Sequence, residues 1–352
     1  MGFRFSKSMK IGKNTRVNFG KTGVGLSFGA KGLRRTLHSS GRKTTSAGIP
    51  GSGLYYTKSS SKKAGSHSTN TSQSKQQRVE ENQTAVDTFN EYIQMITSLH
   101  KITPESIDWE HIKAIPAPFD TSYPGPLESK AIDNSNNYTP NFIHRLFRLE
   151  NRKRTQLEKQ IMEAKQQDAA NYREWEESHE LAARVLRGEH EAFLQVIEEM
   201  NAFSVLEELG TGFKLNVKTD DTVEVAFSVN PEEVVPEKAL SLTKTGRLSR
   251  KKMTKTNYYR ITQDYVCSMS LQVAKIVFAR LPIEKVIVNT TENRLNTATG
   301  NREDTVVLSV AFEREIMDRL NYENIDPADA MQNFEHHMKH LKTAGFKPVE
   351  KI

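Results

Sequence analysis

The sequence has few of the residues that build disulfide, zinc or membrane proteins. It contains a single cysteine, Cys267, which excludes an internal disulfide framework and a cysteine-based zinc site. No run approaches the roughly eighteen apolar residues of a membrane-spanning helix. The amino terminus also lacks the continuous apolar stretch of a signal peptide. These absences predict a cytoplasmic protein without a membrane span, and no motif predicts a cofactor.

Acidic residues are absent from the first 79 residues, which contain 16 lysines and arginines. The first acidic residue is Glu80, and the remaining 273 residues carry a net charge of −9. Such a division is expected where one end of a chain meets a polyanion. Two alternatives stay open: the two parts could attract each other, or the charge could serve solubility alone. The sign of the charge does not distinguish a nucleic-acid partner from a partner made of anionic lipid.

Residues 1–57 predict a small β domain. Apolar residues around Met9, Val17 and Leu26 alternate with basic or polar ones, which is the period of a strand with one buried face. Eleven of the 19 glycines in the chain fall in this segment and divide it into short runs. The pattern favours a glycine-rich basic β-meander. Because its apolar content is small, a partner surface or self-association would help to stabilise it.

Three stretches of this segment resemble a known family: Met1-Gly-Phe-Arg-Phe-Ser-Lys-Ser-Met-Lys-Ile-Gly, Arg16-Val-Asn-Phe-Gly-Lys-Thr-Gly-Val-Gly-Leu-Ser-Phe-Gly and Gly48-Ile-Pro-Gly-Ser-Gly-Leu-Tyr-Tyr. Their glycines, aromatics and bases are similar to those of a short bacterial family catalogued as domain of unknown function number 4236. The resemblance implies a bacterial or phage-related source and a small β fold. It supplies no catalytic residues and says nothing about residues 80–352.

The middle of the chain predicts a linker followed by helices. Residues 58–82 are rich in serine, threonine and lysine and predict a flexible linker. The region 83–210 predicts helices, the first near 83–100. Five prolines within 101–138 favour extended packing segments with little regular structure. The heptad-like stripe over 140–187 predicts a long, coiled-coil-like helical hairpin, through which the chain could bind a protein partner or itself.

Residues 211–352 predict a separate α+β domain. Two alternating runs meet at a turn at Asp220-Asp221, and an apolar helix follows near 256–281. Two further strands frame a hairpin that turns near Gly300. Asp326 is the expected N-cap of a last helix. This order fits an antiparallel or mixed sheet with helices on one side.

A second basic run lies inside this otherwise acidic part of the chain. Lysines and arginines cluster between Lys244 and Lys255 without an acid between them, and Tyr258 and Tyr259 follow for stacking or packing. A solvated loop at the entry of the helix is the simpler interpretation. If both basic regions bind nucleic acid, the expected phosphate-binding residues are Arg4, Lys7, Lys10, Arg16, Lys21, Arg34, Arg35, Arg42, Lys43, Arg247, Arg250, Lys251, Lys252 and Lys255.

Two weaker patterns would suit an enzyme. Asp220, Asp221 and Glu224 resemble part of a metal-dependent nuclease pattern, but the lysine expected two residues after Glu224 is Ala226. His336 and His340 would stand one turn apart on a helix, which gives two of the three or four ligands that a zinc site needs. The sequence therefore identifies no catalytic or metal-binding residue.

The sequence predicts an α+β multidomain protein: a basic β-meander, a helical hairpin, and a sheet-and-helix domain. The favoured function is non-enzymatic binding, in which the basic residues contact a nucleic-acid backbone or another polyanion. The alternatives are a metal-dependent hydrolase or nuclease in the last domain, and a structural assembly factor.

Overall fold

The computed structural model describes six short backbone segments within residues 6–60, and then residues 71–139, 150–204, 206–207 and 209–352. It describes side chains at residues 79–80, 82–139, 151–204, 206–207 and 209–352. Within these residues the chain combines helices with a mixed sheet, which confirms the predicted α+β class. None of the described helices has both the length and the apolar character needed to span a bilayer.

Six strands lie in the basic amino-terminal segment: β1 Ser6–Gly12, β2 Thr15–Gly20, β3 Gly23–Phe28, β4 Leu33–His38, β5 Lys43–Gly48 and β6 Tyr55–Ser60. Each pairs with the next in the chain, antiparallel, to form one sheet, called the head below. Val17 lies opposite Leu26, and Leu26 lies opposite Leu37. Because paired positions share a face, the apolar positions of three strands fall on one side.

The first helix, α1 (Thr71–Thr97), begins earlier than the sequence predicts. It starts inside the segment 58–82 that is predicted as a flexible linker, and residues 61–70 of that segment lie outside the described residues. The first turns of α1 are polar, so their sequence alone gives no helical period. A 3₁₀ turn, Leu99–Lys101, follows.

Two short helices occupy the proline-containing segment 101–138, which corrects the prediction of little regular structure there. They are α2 (Trp109–Ala114) and α3 (Pro126–Asn136). Asp108 caps α2 by accepting a hydrogen bond from the backbone N–H of His111 at 2.9 Å. Pro126 occupies the first turn of α3, where a missing N–H costs nothing.

Helix α4 (Glu150–Leu186) is one continuous helix, not the hairpin predicted over 140–187. No glycine or proline interrupts it, so the chain has no turn at which to reverse. It packs against α2 and α3, where Asp168 accepts a hydrogen bond from the backbone N–H of Glu128 at 2.8 Å. Residues 140–149 of the predicted hairpin lie outside the described residues. Gly188, with φ +75°, follows α4 at the predicted end.

The remaining elements are α5 His190–Glu199, β7 Gly210–Val217, β8 Thr222–Val229, α6 Pro231–Val234, β9 Lys238–Leu242, β10 Leu248–Lys252, α7 Lys255–Arg280, β11 Lys285–Leu295, β12 Arg302–Glu313, α8 Arg314–Arg319, α9 Pro327–Ala330, β13 Glu335–Met338, β14 His340–Leu341 and β15 Gly345–Phe346. Five of these strands form a sheet in the order β13-β12-β11-β8-β7. Strands β8 and β11 run parallel, and the other pairs are antiparallel. The predicted mixed sheet is therefore confirmed.

Helix α7 lies at the centre of this part of the chain. It packs against β11 on one side and against α1 on another, so residues such as Tyr265 and Leu271 have no exposed surface. The segment around α2 contributes to its carboxyl end. The backbone N–H of Ile107 donates to the Ala279 carbonyl at 2.9 Å, and Trp109 Nε1 donates to the Arg280 carbonyl at 2.7 Å. These bonds satisfy carbonyls that a helix end leaves without partners.

The last predicted helix is correct at its start and wrong in its length. Asp326 caps α9 by accepting hydrogen bonds from the backbone N–H groups of Ala328 and Asp329. The helix then ends after four residues, at Ala330. Residues Glu335–Met338 are extended and pair with β12. This segment forms a strand through that pairing, although its own sequence does not predict one.

Candidate nucleic-acid interface

The basic run of the carboxyl-terminal region forms a β-hairpin, which corrects the simpler prediction of a solvated loop. Strands β9 and β10 pair antiparallel from Leu242 opposite Leu248 to Lys238 opposite Lys252. The connecting turn is closed by a hydrogen bond from the backbone N–H of Gly246 to the Thr243 carbonyl at 2.9 Å. Gly246 has φ +72°, a conformation that favours glycine. This element, residues 238–252, is called the basic hairpin below.

The basic hairpin and the residue that opens α7 carry exposed cations. Among the described side chains, no carboxylate forms an ion pair with any of six exposed bases: Lys238, Lys244, Arg247, Lys251, Lys252 and Lys255. Arg250 is also exposed, at the position opposite Leu240. Arg260 differs, because its guanidinium holds Asp264 at 2.8 Å.

One pair within the basic hairpin brings like charges together. Lys238 and Lys252 occupy directly opposite positions on the two strands. Like charges placed directly opposite each other destabilise a sheet. Lys238 is not among the phosphate-binding residues predicted from the sequence, although the run Lys238-Ala-Leu-Ser-Leu that it opens ends in leucines that alternate with serine, as in a strand. An anion bound between the two ammonium groups would relieve the repulsion.

The amino terminus of α7 adds to the positive potential. Thr254 caps the helix by accepting a hydrogen bond from the backbone N–H of Asn257 at 3.2 Å. Lys255 begins the helix, and the first turn contains no acidic residue. The helix dipole is positive at this end, so acidic residues are the stabilising choice there. A lysine in that place leaves uncompensated positive charge beside the basic hairpin.

The two adjacent tyrosines pack within the fold. The hydroxyl of Tyr258 donates to the Pro231 carbonyl at 3.4 Å, and burial raises the pKa of Tyr258 to about 12. The ring of Tyr259 lies so close to Gly345 that a Cβ there would come within 2.8 Å of it. Of the predicted stacking and packing roles, the structure supports packing. Both tyrosines are half-buried, so part of each ring is held against the fold.

Helix α1 brings the chain from the head to the basic hairpin. Asn82 Nδ2 donates to the Gly246 carbonyl at 2.8 Å, and a Cβ on Gly246 would come within 2.6 Å of Val79. The last strand of the head ends at Ser60, and ten residues separate it from Thr71, where α1 begins. An extended segment of that length, plus two turns of helix, spans at most about 50 Å. One stretch of polyanion could therefore meet both basic regions.

The predicted bases of the head lie on its strands where the structure describes them. Lys7, Lys10, Arg16, Arg34, Arg35 and Lys43 belong to strands β1, β2, β4 and β5. Lys10 lies directly opposite Arg16, which is a second like-charge pair. Arg4, Lys21 and Arg42 lie outside the described residues.

Two carboxylates of the alternative enzyme site, Asp221 and Glu224, are engaged in hydrogen bonds and ion pairs within the protein. Asp221 accepts a hydrogen bond from Thr222 Oγ1 at 2.7 Å, and bonds from Thr219 first and Thr222 second lower its pKa. Burial favours a higher pKa for Glu224, but the hydrogen bond and charge of Lys218, 2.6 Å away, and the charge of Lys351 lower it. Within the described residues, no three His, Cys, Asp or Glu side chains form a group that could hold a metal ion.

The predicted histidine pair does not share a helix face. His336 lies on β13 opposite Val310, whereas His340 lies on β14 opposite Phe346. His336 Nδ1 is 3.0 Å from the Phe334 carbonyl oxygen. Because both histidines lie on strands, they are not one helical turn apart, and the predicted spacing of one helical turn is wrong.

Cys267 is buried, as its apolar neighbours in the sequence predict. It has no exposed surface, and its Sγ lies 3.8 Å from Met338 Sδ. Burial raises the pKa of the thiol, with further contributions from Asp264 and Asp326. A thiol kept protonated in this way is a weak nucleophile.

Comparison with known proteins bears on the head alone. Neither curated proteins nor solved structures give a match to the chain. A family model matches residues 3–57, the segment in which the sequence analysis places the characteristic glycines, aromatics and bases of the head. Residues 3–57 thus match the family described as Protein of unknown function (DUF4236), which confirms the resemblance carried by their sequence.

Proposed function

We propose that the protein is a non-enzymatic, nucleic-acid-binding protein of the bacterial cytoplasm. The head and the basic hairpin contact the phosphate backbone without reading the bases. The observation that carries this proposal is the set of five exposed bases of the basic hairpin that form no ion pair with a described carboxylate: Lys238, Lys244, Arg247, Lys251 and Lys252. They lie in a region whose sequence is otherwise acidic.

The charge pattern supports a ligand rather than solubility alone. Charges that serve only solubility are best placed where neighbouring carboxylates or distance limit their repulsion. Here Lys238 and Lys252 face each other, and Lys255 stands at the positive end of a helix dipole. Phosphate groups would turn both unfavourable arrangements into favourable ones.

The surroundings of the basic hairpin support backbone contact rather than base recognition. Both adjacent tyrosines are half-buried and hold part of their rings against the fold, which limits the ring surface on which a base could stack. Lysine ammonium groups are point charges and suit phosphates better than the patterned edges of bases. Protein contacts through the helical region, including self-association, remain a further part of the proposal.

The double variant Lys251→Ala with Lys252→Ala tests the role of the basic hairpin. Each lost phosphate contact should lower the salt dependence of duplex DNA binding by about 0.9 in log–log slope, so the pair should lower it by up to about two. The measurement is fluorescence anisotropy of a labelled duplex at several salt concentrations.

The control is Lys113→Ala with Lys130→Ala, which makes the same change in net charge. Both lysines are exposed, on α2 and α3, and neither has an ion-pair partner among the described side chains. The slope of the control should stay within about 0.5 of the unmodified protein. Equal slopes for the two double variants would show that the basic hairpin does not contact the DNA.

A further inference from the structure

Strand β7 (Gly210–Val217) forms one edge of the five-stranded sheet. It pairs with β8 on its inner side, and no other described strand pairs with it. The backbone N–H of Lys218 donates to the Thr222 carbonyl, which fixes the alternation of hydrogen-bonded positions along the pair. By that alternation, the N–H and C=O groups of Leu215 and Val217 point away from β8. They form a short edge able to accept another strand.

A groove lies between this edge and helix α5 (His190–Glu199). Its volume is about 870 Å³, which is enough for several residues of an extended peptide. Leu194 and Ile197 of α5 form one wall, and Phe213 and Leu215 of β7 form the other. At the base Phe203 stacks on Phe213, with ring centroids 4.8 Å apart. The groove therefore has an apolar floor beside a backbone edge.

The rim of the groove is acidic. Glu198 and Glu207 line it, both are exposed, and neither has an ion-pair partner among the described side chains. Lys214 is the one cation among the described lining residues. The like charges of Glu198 and Glu207 favour a ligand that brings positive charge to the rim.

We propose that this groove binds an extended peptide of a partner protein in which apolar and basic residues alternate along the one face of the strand that meets the groove. The peptide adds as a strand to β7, using the outward groups of Leu215 and Val217. Its apolar side chains enter the groove between Leu194 and Phe213, and its basic side chains meet Glu198 and Glu207. This site is separate from the basic hairpin and does not depend on nucleic-acid binding.

The test uses the full chain, free of nucleic acid, with two probe peptides, acetyl-KTVTKT-amide and acetyl-ETVTET-amide, whose first, third and fifth side chains share one face of a strand. The basic peptide should bind, and the acidic one should bind at least about tenfold more weakly. Hydrogen exchange should show new protection at the amides of Leu215 and Val217. The amides of Lys214 and Asn216, which face β8, should change little.

Charge-reversal variants separate the groove from general electrostatics. Glu198→Lys with Glu207→Lys should weaken binding of the basic peptide about tenfold. The matched control, Glu174→Lys with Glu177→Lys, changes two exposed residues of α4 and should stay within about twofold.

Several results would overturn the proposal. These are equal binding of the two peptides, equal weakening by the two double variants, or protection that spares Leu215 and Val217. Protection of those amides without peptide would also overturn it, because a second copy or another part of the chain would then cover the edge. Because no DNA is present, none of these outcomes depends on the basic hairpin.

Discussion

Replacing Arg314 by leucine is expected to lower the free energy of unfolding by about 3 kcal/mol. The guanidinium donates to the carbonyls of Phe278 at 3.1 Å, Leu281 at 2.8 Å and Ile283 at 2.7 Å. It also lies 4.8 Å from the centre of the Phe278 ring. Leucine would leave these carbonyls, at the end of the buried helix α7, without their donor.

Urea unfolding followed by tryptophan fluorescence measures this change, because Trp109 bonds to the adjacent Arg280 carbonyl. The control is Arg319→Leu on the same short helix α8, where Arg319 makes an exposed ion pair with Glu315. That substitution should cost less than about 1 kcal/mol. Equal losses for the two variants would show that Arg314 does not secure the end of α7.

The second large effect is the pH dependence of stability that two buried groups, His100 and Asp264, contribute with opposite signs. Burial is the main cause that lowers the pKa of His100 from 6.5 to about 4, and the charges of Lys101 and Lys275 act in the same direction. Asp326 and Glu323 oppose the shift. Stability from the neutral imidazole is therefore present above about pH 6.5 and is lost as the pH falls towards 4.

Asp264 acts in the opposite sense. Burial is the main cause that raises its pKa from 3.8 to about 6, Arg260 opposes the shift, and Asp326 and Asp329 add to it. Its contribution to stability is present below about pH 4 and is lost as the pH rises through 6. On acidification from pH 6.5 to 4.5 the loss at His100 and the gain at Asp264 offset each other.

Single variants should reveal the two contributions. We expect Asp264→Asn to lose about 2 kcal/mol more than the unmodified protein over that fall in pH. We expect His100→Asn to gain about 2 kcal/mol relative to the unmodified protein over the same range. Urea unfolding at pH 4.5, 5.5 and 6.5 gives all three profiles. If the free energy of unfolding changes with pH in the same way in all three proteins, His100 and Asp264 do not make these opposite contributions.

Elements with a strong period could be predicted from the sequence. Strands β7 and β8 follow their apolar alternation, β11 and β12 follow short apolar runs, and α7 follows a long stretch rich in apolar residues without glycine or proline. The turn at Gly300, with φ +73°, was marked by a residue type that this conformation favours. In each case the local pattern and the tertiary environment require the same structure.

The remaining elements depend on contacts far along the chain. β13 is extended because β12 offers it an edge, and the short helix α2 is held by Trp109 at the end of α7. The continuity of α4 was hidden by its charged stretches, which look like a break although they lack glycine and proline. At the candidate interface, the basic run could be predicted, but the pairing of Lys238 with Lys252 and the contacts of Tyr258 and Tyr259 could not. They follow from the pairing of β9 with β10, from the hydrogen bond of Tyr258 to Pro231 and from the contact of Tyr259 with Gly345.

The most direct test of the central claim is the salt dependence of duplex DNA binding by the full chain. Five or six phosphate contacts, shared between the head and the basic hairpin, predict that the logarithm of affinity falls with the logarithm of salt concentration at a slope of about −4 to −5. Duplexes of unrelated sequence should give the same affinity within about threefold. Absence of binding at about 50 mM salt, or a slope near zero, would contradict the proposed function.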